Sequence, residues 1–301
     1  MTLDQLRIFV AVAERQHMTQ AAAVLNLTQS ATSAAIAALE DRHGVRLFDR
    51  IGRRIILTPA GQEFLGEARG VLARASAAVR VLDDLAGLTR GTLRLAASQT
   101  VGNYWLPPLM QRFHAEHPGV TLTLVIGNTV QVATAVADMS ADLGFVEGVV
   151  DDPALKSNAI PGDRLALVVP PTHPWAKHPP VGPEIAGSAW VLREPGSGTR
   201  ALFETVVQRS GVAIEDILVA LELPSNEAVR AAVTAGAGAS LLSALVVQQA
   251  LSAGTLVEVP FSLPQREFHV LHHKERILSQ VEKRFLALPV AFQKETSDVI
   301  I

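Results

Sequence analysis

The stretch TQAAAVLNLTQSATSAAIAALE, residues 19–40, decides the fold of the N-terminal quarter. Thr19 is read as the N-cap of a short helix over 20–25, since its hydroxyl can accept from the unpaired N–H groups of a first turn. Asn26-Leu27 makes a tight turn. Thr28 caps a further helix, from Gln29 to about Asp41, with Ala31, Ala35 or Ile36, and Leu39 as its buried face. Gly44 stops it in the left-handed conformation that glycine adopts freely. Upstream, Leu3, Leu6, Phe9, Val10 and Ala13 recur at helical spacing and mark a first helix. Three short helices with a tight turn between the second and third spell a helix-turn-helix.

Downstream, two β-prone runs between Arg46 and Leu57 flank the tip Gly52-Arg53-Arg54, which reads as a hairpin or wing. Thr58-Pro59 opens a helix, with proline where its missing N–H costs nothing. From there Phe64, Ala68, Val71, Ala75, Ala78 or Val79, Leu82 and Leu85 alternate steps of three and four to about Leu88. That is the apolar seam of a coiled coil. A helix of ~45 Å at 1.5 Å per residue cannot bury such a seam against itself. A second copy of the same helix is the preferred partner, and packing on the chain's own C-terminal part is the alternative.

After Thr89-Arg90-Gly91 the grammar changes. Strands are expected over 92–97, 120–126, 142–146, 165–169, 190–193, 217–223, 256–259 and 268–271. Helices fall between them near 106–114, 130–139, 199–209, 226–235, 244–253 and 278–292. Such alternation over two hundred residues points to open α/β sheets.

Composition narrows the function. The 301 residues carry a net charge of −3 and no cysteine, so disulfides, thiolate metal sites and thiol redox sensors are excluded. Residues 1–90 hold 11 basic and 9 acidic residues, every basic one an arginine, whereas the rest is net acidic. Arginine forks suit phosphates and guanine edges. No uncharged apolar run approaches the ~20 residues of a membrane span, and the N-terminus lacks a secretory apolar core. A cytoplasmic protein with no membrane partner is expected.

The residues Thr19-Gln20-Ala21-Ala22, Leu25-Asn26-Leu27-Thr28-Gln29-Ser30-Ala31, Ser33, Ile36, Leu39-Glu40, Gly44 through Arg50, Arg53 and Leu57 through Gly61 closely resemble the N-terminal signature of LysR-type transcriptional regulators. The C-terminal region matches only in length and strand–helix order. The resemblance implies an α+β multidomain chain: a winged helix-turn-helix over 1–58, a linker and dimerisation helix over 59–90, and an effector-binding domain over 91–301. That domain would be a two-lobed α/β body like the periplasmic solute-binding proteins. Lobe 1 would take about 91–161 and 265–301, lobe 2 about 162–264, with crossings at Pro161-Gly162 and Pro264-Gln265. Double-stranded DNA, a homodimer or homotetramer, and RNA polymerase are the partners implied.

In a helix-turn-helix the second helix enters the major groove with its N-terminal residues on base edges. Thr28, Gln29, Ser30, Thr32 and Ser33 are therefore candidate DNA contacts, with Thr19 beside them. Glutamine pairs with adenine bidentately, and serine and threonine read either base. Ala34 and Ala35 depart from the Arg or Gln that the family often carries there, leaving more of the specificity to Gln29, the wing and DNA shape. Arg50, Arg53 and Arg54 are expected at phosphates or in a narrow minor groove.

Two segments in the α/β region look like anion cradles. One runs through Ser98, Gln99, Thr100 and Gly102. The other spans Arg193 to Arg200 and runs through Glu194, Gly196, Ser197, Gly198 and Thr199. Both bring hydroxyls and unpaired N–H groups to a helix start, where partial positive charge favours an anion. An ordinary capped turn is the alternative for the second. Glu147 would orient a hydroxyl or amine, select a protonated anion, or simply end a strand in solvent; Asn128, Thr129, Asn226 and Glu227, which start other helices facing the cleft, join as lesser liners. No cofactor and no metal are expected; the effector is a small oxyanion, carboxylate or phosphorylated metabolite.

An enzyme is disfavoured. No Gly-x-Ser-x-Gly elbow surrounds Ser98 or Ser197. His272-His273 lie on a strand, where neighbours face opposite ways, and His114 and His117 read as surface residues. No catalytic residue is assigned.

Overall fold

The structure is a computed structural model that describes residues 1–51, 54–85 and 91–297. It divides into two compact units, one built from the first four helices and a hairpin, the other from nearly all that follows.

In the first unit, α1 (Leu3–Arg15) starts at a capping box: Thr2 Oγ1 accepts from Gln5 N–H and Gln5 Oε1 accepts from Thr2 N–H. The helix buries Leu6, Phe9, Val12 and Ala13. Of these, Leu6, Phe9 and Val12 each contribute about 1.5–3 kcal/mol on removal from water. Helix α2 (Met18–Val24) begins earlier than the sequence suggests. His17 is its N-cap, accepting from Gln20 N–H through Nδ1, and Thr19 lies exposed inside the first turn. Met18 is the reason: it buries its side chain and draws the helix start back.

Helix α3 (Gln29–His43) is capped by Thr28, whose Oγ1 accepts from Ala31 N–H, and stops at Gly44 with φ +63°. Its buried face is Thr32, Ile36 and Leu39; Ala31 is exposed. Strands β1 (Phe48–Ile51) and β2 (Arg54–Leu57) pair antiparallel as a hairpin. Glu40 ties α3 to it, accepting from the N–H groups of Leu47 at 2.7 Å and Phe48 at 3.1 Å. Phe9 packs between Phe48 and Phe64, with ring centroids 5.3 and 4.9 Å away.

Helix α4 (Pro59–Leu85) has 27 residues, about 40 Å. Thr58 caps it, and Gly61 is needed because a Cβ there would stand 2.1 Å from the Leu47 carbonyl oxygen. The expected seam splits in two. Phe64 and Ala68 belong to the core shared with α1 and α3, whereas Val71, Val79 and Leu82 stay exposed. The residues 86–88 of that seam lie outside the described residues.

The second unit contains two groups of strands. Its first sheet takes β3 (Gly91–Ser98), β4 (Val120–Gly127), β5 (Leu143–Val146), β6 (Leu155–Pro161) and β12 (Glu267–His273), in the order β4-β3-β5-β12-β6. Helices α5 (Leu106–Glu116), α6 (Thr129–Ala137) and α10 (Gln280–Ser297) accompany it. Its core holds Leu95, Leu106, Phe113, Phe145, Phe268 and Phe285.

The second group is β7 (Leu165–Val169), β8 (Ala189–Arg193), β9 (Leu218–Leu223), β10 (Ser240–Ser243) and β11 (Val257–Val259). Here β10-β7-β11 form one sheet and β8-β9 another, joined by a bridge from Trp190 to Ala239. Helices α7 (Gly198–Arg209), α8 (Asn226–Thr234) and α9 (Ala244–Ser252) pack beside these strands. The chain passes between the two groups after β6 and again before β12. There a Cβ on Gly162 would stand 2.1 Å from the Arg266 carbonyl oxygen, and Arg266 pairs with Asp163. Two strands, β6 and β10, escape the sequence reading. β6 is an edge strand with an exposed Lys-Ser-Asn run, and β10 is four apolar-centred residues continuous with α9.

Candidate DNA-reading face and effector cleft

On the reader unit, Gln29 and Ser30 are exposed at the start of α3, and Ser33 is half-buried one turn later. Thr28 and Ser30 hydroxyls lie 3.0 Å apart, so the cap also orients Ser30. Thr32 does not join this face. It is fully buried, and its hydroxyl donates to the Thr28 carbonyl, because position 32 faces the same way as Ile36 and Leu39. Ser33 opens with Ala37 onto a groove of about 790 Å³ reaching Phe48, Asp49 and Ile55 of the hairpin. Arg53 lies outside the described residues, as do the side chains of Arg50 and Arg54.

In the second unit the two expected cradles do meet. β3 and β5 of the first sheet end there, as does β8 of the second group, and α6, α7 and α8 all begin there. Arg193, at the end of β8, is buried and fully engaged. Its Nε and Nη2 donate to Glu194 at 2.7 and 2.9 Å, and its Nη1 donates to Asn226 Oδ1 at 2.6 Å. Asn226 reaches across to Thr100, its Nδ2 donating to Oγ1 at 3.1 Å, and its N–H donates to Gln99 Oε1 at 2.9 Å. Thr100 N–H donates in turn to Glu147 Oε1 at 3.2 Å. One chain of hydrogen bonds thus runs from Glu194 to Glu147 through both groups of strands.

Around it sit hydroxyls with no such commitment. Ser98 Oγ and Thr129 Oγ1 are buried without any partner. Thr100 Oγ1 already accepts, so its proton is left to give. Ser197 is buried at the start of α7 and caps no N–H with its side chain. Gly198 lets the segments close: a Cβ there would stand 2.9 Å from Thr129 Oγ1 and 3.4 Å from Glu147 Cβ. Gly196 adopts φ +88° beside Val130 and Asn128, where an L side chain would be strained. Asn128 caps α6 and donates to Glu194 at 3.3 Å. Thr199 Oγ1 lies 3.4 Å from Arg266 Nη1.

Burial pushes the Glu194 carboxyl up, but the Arg193 fork, its own backbone N–H and Asn128 outweigh that and hold it below the usual carboxylate range. Both arginines here, Arg193 and Arg266, are already matched by carboxylates. Glu147 is buried at 3% exposure, not a strand end in solvent.

Gly102 does not line this cleft. A Cβ there would meet Ile126 and Ala97, so it is a packing glycine within the π-helical turn Val101–Trp105. Sequence reasoning placed Arg193 at the start of the second cradle without its role as the tie between segments, and missed Arg266. A cation closing an apolar strand was the available signal for the first; Arg266 gave none. His272 and His273 are buried. Among the described residues no group of three or more His, Cys, Asp or Glu could hold a metal.

The family model "Bacterial regulatory helix-turn-helix protein, lysR family" matches residues 3–62, and "LysR substrate binding domain" matches residues 86–290. The chain belongs to the LysR family of transcriptional regulators. It is 37% identical over 287 residues to the "Uncharacterized HTH-type transcriptional regulator YeiE" of Escherichia coli (strain K12), covering 95% of this chain and 96% of that one. Full-length CbnR, solved in complex with its target DNA, shares the fold with a TM-score of 0.69 at 23% identity, over 97% of this chain and 99% of the other. The CcmR regulatory domain of Synechocystis PCC6803, solved in complex with 2-PG, aligns with a TM-score of 0.62 at 28% identity, covering 67% of this chain and 97% of that domain. This LysR-type chain is therefore a DNA-binding transcriptional regulator with an effector-binding domain, and its family is one of regulators, not enzymes. No single helix among its described residues is long and apolar enough to cross a membrane.

Proposed function

We propose that this regulator reads its operator with Gln29, Ser30 and Ser33 of α3, supported by Thr19, Thr28 and the wing arginines 50, 53 and 54. A small anionic metabolite in the cleft between β3, β5 and β8 changes the geometry of that binding. The observation that carries the effector half is the pair of buried, unpartnered hydroxyls of Ser98 and Thr129 beside three helix starts. A buried hydroxyl without a partner costs about 1–3 kcal/mol, which a ligand oxygen would recover. Because Arg193 and Arg266 are already neutralised, the anion is held by hydroxyls, backbone N–H groups and helix dipoles. Glu147 then demands that the ligand also offer a proton, on a hydroxyl, an amine or the anion itself. The CcmR regulatory domain, solved in complex with 2-PG, supports a small molecule as the occupant of such a domain. A ligand bound ~100-fold tighter to one lobe arrangement supplies ~2.7 kcal/mol towards it.

The test is a gel shift with the chain's own upstream DNA, titrated with salt and with phosphate, sulfate and short carboxylates. Salt-sensitive binding to one site is expected, with a footprint altered by at least one of these ions. A footprint that responds only to neutral metabolites removes the anion. For the reader, Gln29→Ala and Ser30→Ala are each expected to weaken operator binding by about 1–3 kcal/mol while leaving non-specific binding nearly intact. Equal losses on both DNAs would move those residues off the base edges.

Self-association rests on α4. Val71, Val79 and Leu82 are 41%, 57% and 66% exposed, an apolar stripe that an isolated helix would not keep. Leu82→Glu is expected to halve the assembly's mass in analytical ultracentrifugation, reducing a dimer to a monomer or a tetramer to a dimer. Unchanged mass with lowered stability would show instead that the stripe packs within its own chain. RNA polymerase contact and a cytoplasmic location complete the proposal.

A further inference from the structure

Helix α7 begins at the effector cleft and ends at a different cavity. That cavity, of about 460 Å³, is lined by Pro180 and Val181, by Val206 and Arg209 from α7, and by Phe261 and Leu263. The volume falls within the ~300–1,000 Å³ usual for small-ligand sites. Its walls are mostly apolar, with Ser210 and Ser262 as polar members. Val181 stands 74% exposed, and Phe261 and Leu263 reach down to the buried core around Trp190 and Phe203. Nearby Ser210 spends its hydroxyl on the Val206 carbonyl.

Most arginines of this domain are already committed. Arg94, Arg193, Arg200, Arg266 and Arg276 all have carboxylate partners. Arg209 has none among the described residues, yet it sits at the rim of an apolar cavity. A guanidinium there offers two parallel N–H donors to one planar carboxylate.

We propose that this cavity is a second ligand site, separate from the cleft, for a small organic acid with a hydrocarbon body. The hydrocarbon lies against Val181, Phe261 and Leu263, and the carboxylate takes both donors of Arg209. The site touches the machinery of the cleft at two points. α7 carries Val206 and Arg209 at one end and Gly198 and Thr199 at the other. The wall segment 261–264 runs into Arg266, which pairs with Asp163 at the crossing and reaches Thr199 at 3.4 Å. An acid that fixes the wall segment therefore biases the crossing between the two groups of strands, and linkage makes the effect reciprocal.

The probes are hexanoate and, without the charge, hexan-1-ol, added to the full chain in calorimetry and in hydrogen-exchange mass spectrometry. Hexanoate is expected to bind saturably and to slow exchange at 261–264 and at 180–182. Arg209→Gln is expected to weaken hexanoate by about tenfold or more, within the range of a charge-assisted pair, and to leave hexanol binding unchanged. Val181→Glu, which sets a competing carboxylate at the rim, is expected to weaken hexanoate as well. Both positions are exposed, so both variants should keep the wild-type fold, checked by circular dichroism. The proposal is overturned if hexanoate does not bind, if Arg209→Gln binds it as the wild type does, or if protection falls only at 98–100 and 197–199.

Discussion

Asp142→Ala is expected to lower the stability of the effector-binding domain by about 3–5 kcal/mol, the cost of breaking a buried ion pair from one side. Asp142 is only 1% exposed and sits where β5 begins. One of its oxygens accepts from Arg94 N–H at 2.9 Å and Arg94 Nε at 3.2 Å. The other accepts from Arg94 Nη2 at 2.8 Å and Arg276 Nη1 at 2.9 Å. Arg276 continues to Glu282, itself 1% exposed, whose second oxygen accepts from Ser279 N–H at 2.7 Å. The network thus fastens β3, β5 and the start of α10 together. Alanine would leave the Arg276 guanidinium buried with half of its compensation. In urea the midpoint should fall at unchanged slope, because the surface exposed on unfolding is the same. Asp142→Asn keeps the shape and loses the charge, so a smaller loss is expected. A loss under about 1 kcal/mol for alanine would class this cluster with surface pairs.

That network also shows where sequence reading stops. The reader unit was legible because its determinants are local: a capping threonine at 28, a stop glycine at 44, a proline at 59, apolar residues at helical steps. Each acts within four residues of itself. Thr19 and Thr32 were misplaced for one reason. Burial overrides propensity: Met18 pulled the start of α2 two residues earlier, and Thr32 rotated onto the core face while Ala31 turned out. The strand–helix order of the effector domain was legible from period alone, save β6 and β10, where polarity and brevity hid the pattern. Pairings such as Arg193 with Asn226, Asn226 with Thr100, or Arg276 with Asp142 join residues 33 to 134 positions apart. No local spacing encodes them. The cradles were found because glycine, serine and threonine cluster there in the chain. Gly102 shared that composition and proved to serve packing instead.

Gly198→Val carries the largest functional effect expected of a single substitution in the cleft. Even one methyl there would stand 2.9 Å from Thr129 Oγ1 and 3.4 Å from Glu147 Cβ, both belonging to buried residues. Valine adds two more carbons in a space that a ligand would share. Overpacking of this kind costs about 1–3 kcal/mol if the segments stay closed, so relief by opening is favoured. Opening lengthens the bonds that cross the cleft, Asn226 to Thr100 above all. The amide of Asn226, which donates across the cleft to Gln99, should therefore exchange faster than in the wild type, a change that needs no ligand to be seen. Operator affinity in the absence of added ions, carried by α3 in the other unit, should stay within about twofold, less than 0.5 kcal/mol. The footprint should no longer respond to any ion that shifts it in the wild type, because the hydroxyls of Ser98, Thr100 and Thr129 can no longer converge on one ligand. Wild-type exchange at Asn226, or an undiminished ion response, would mean that the binding site lies away from Gly198.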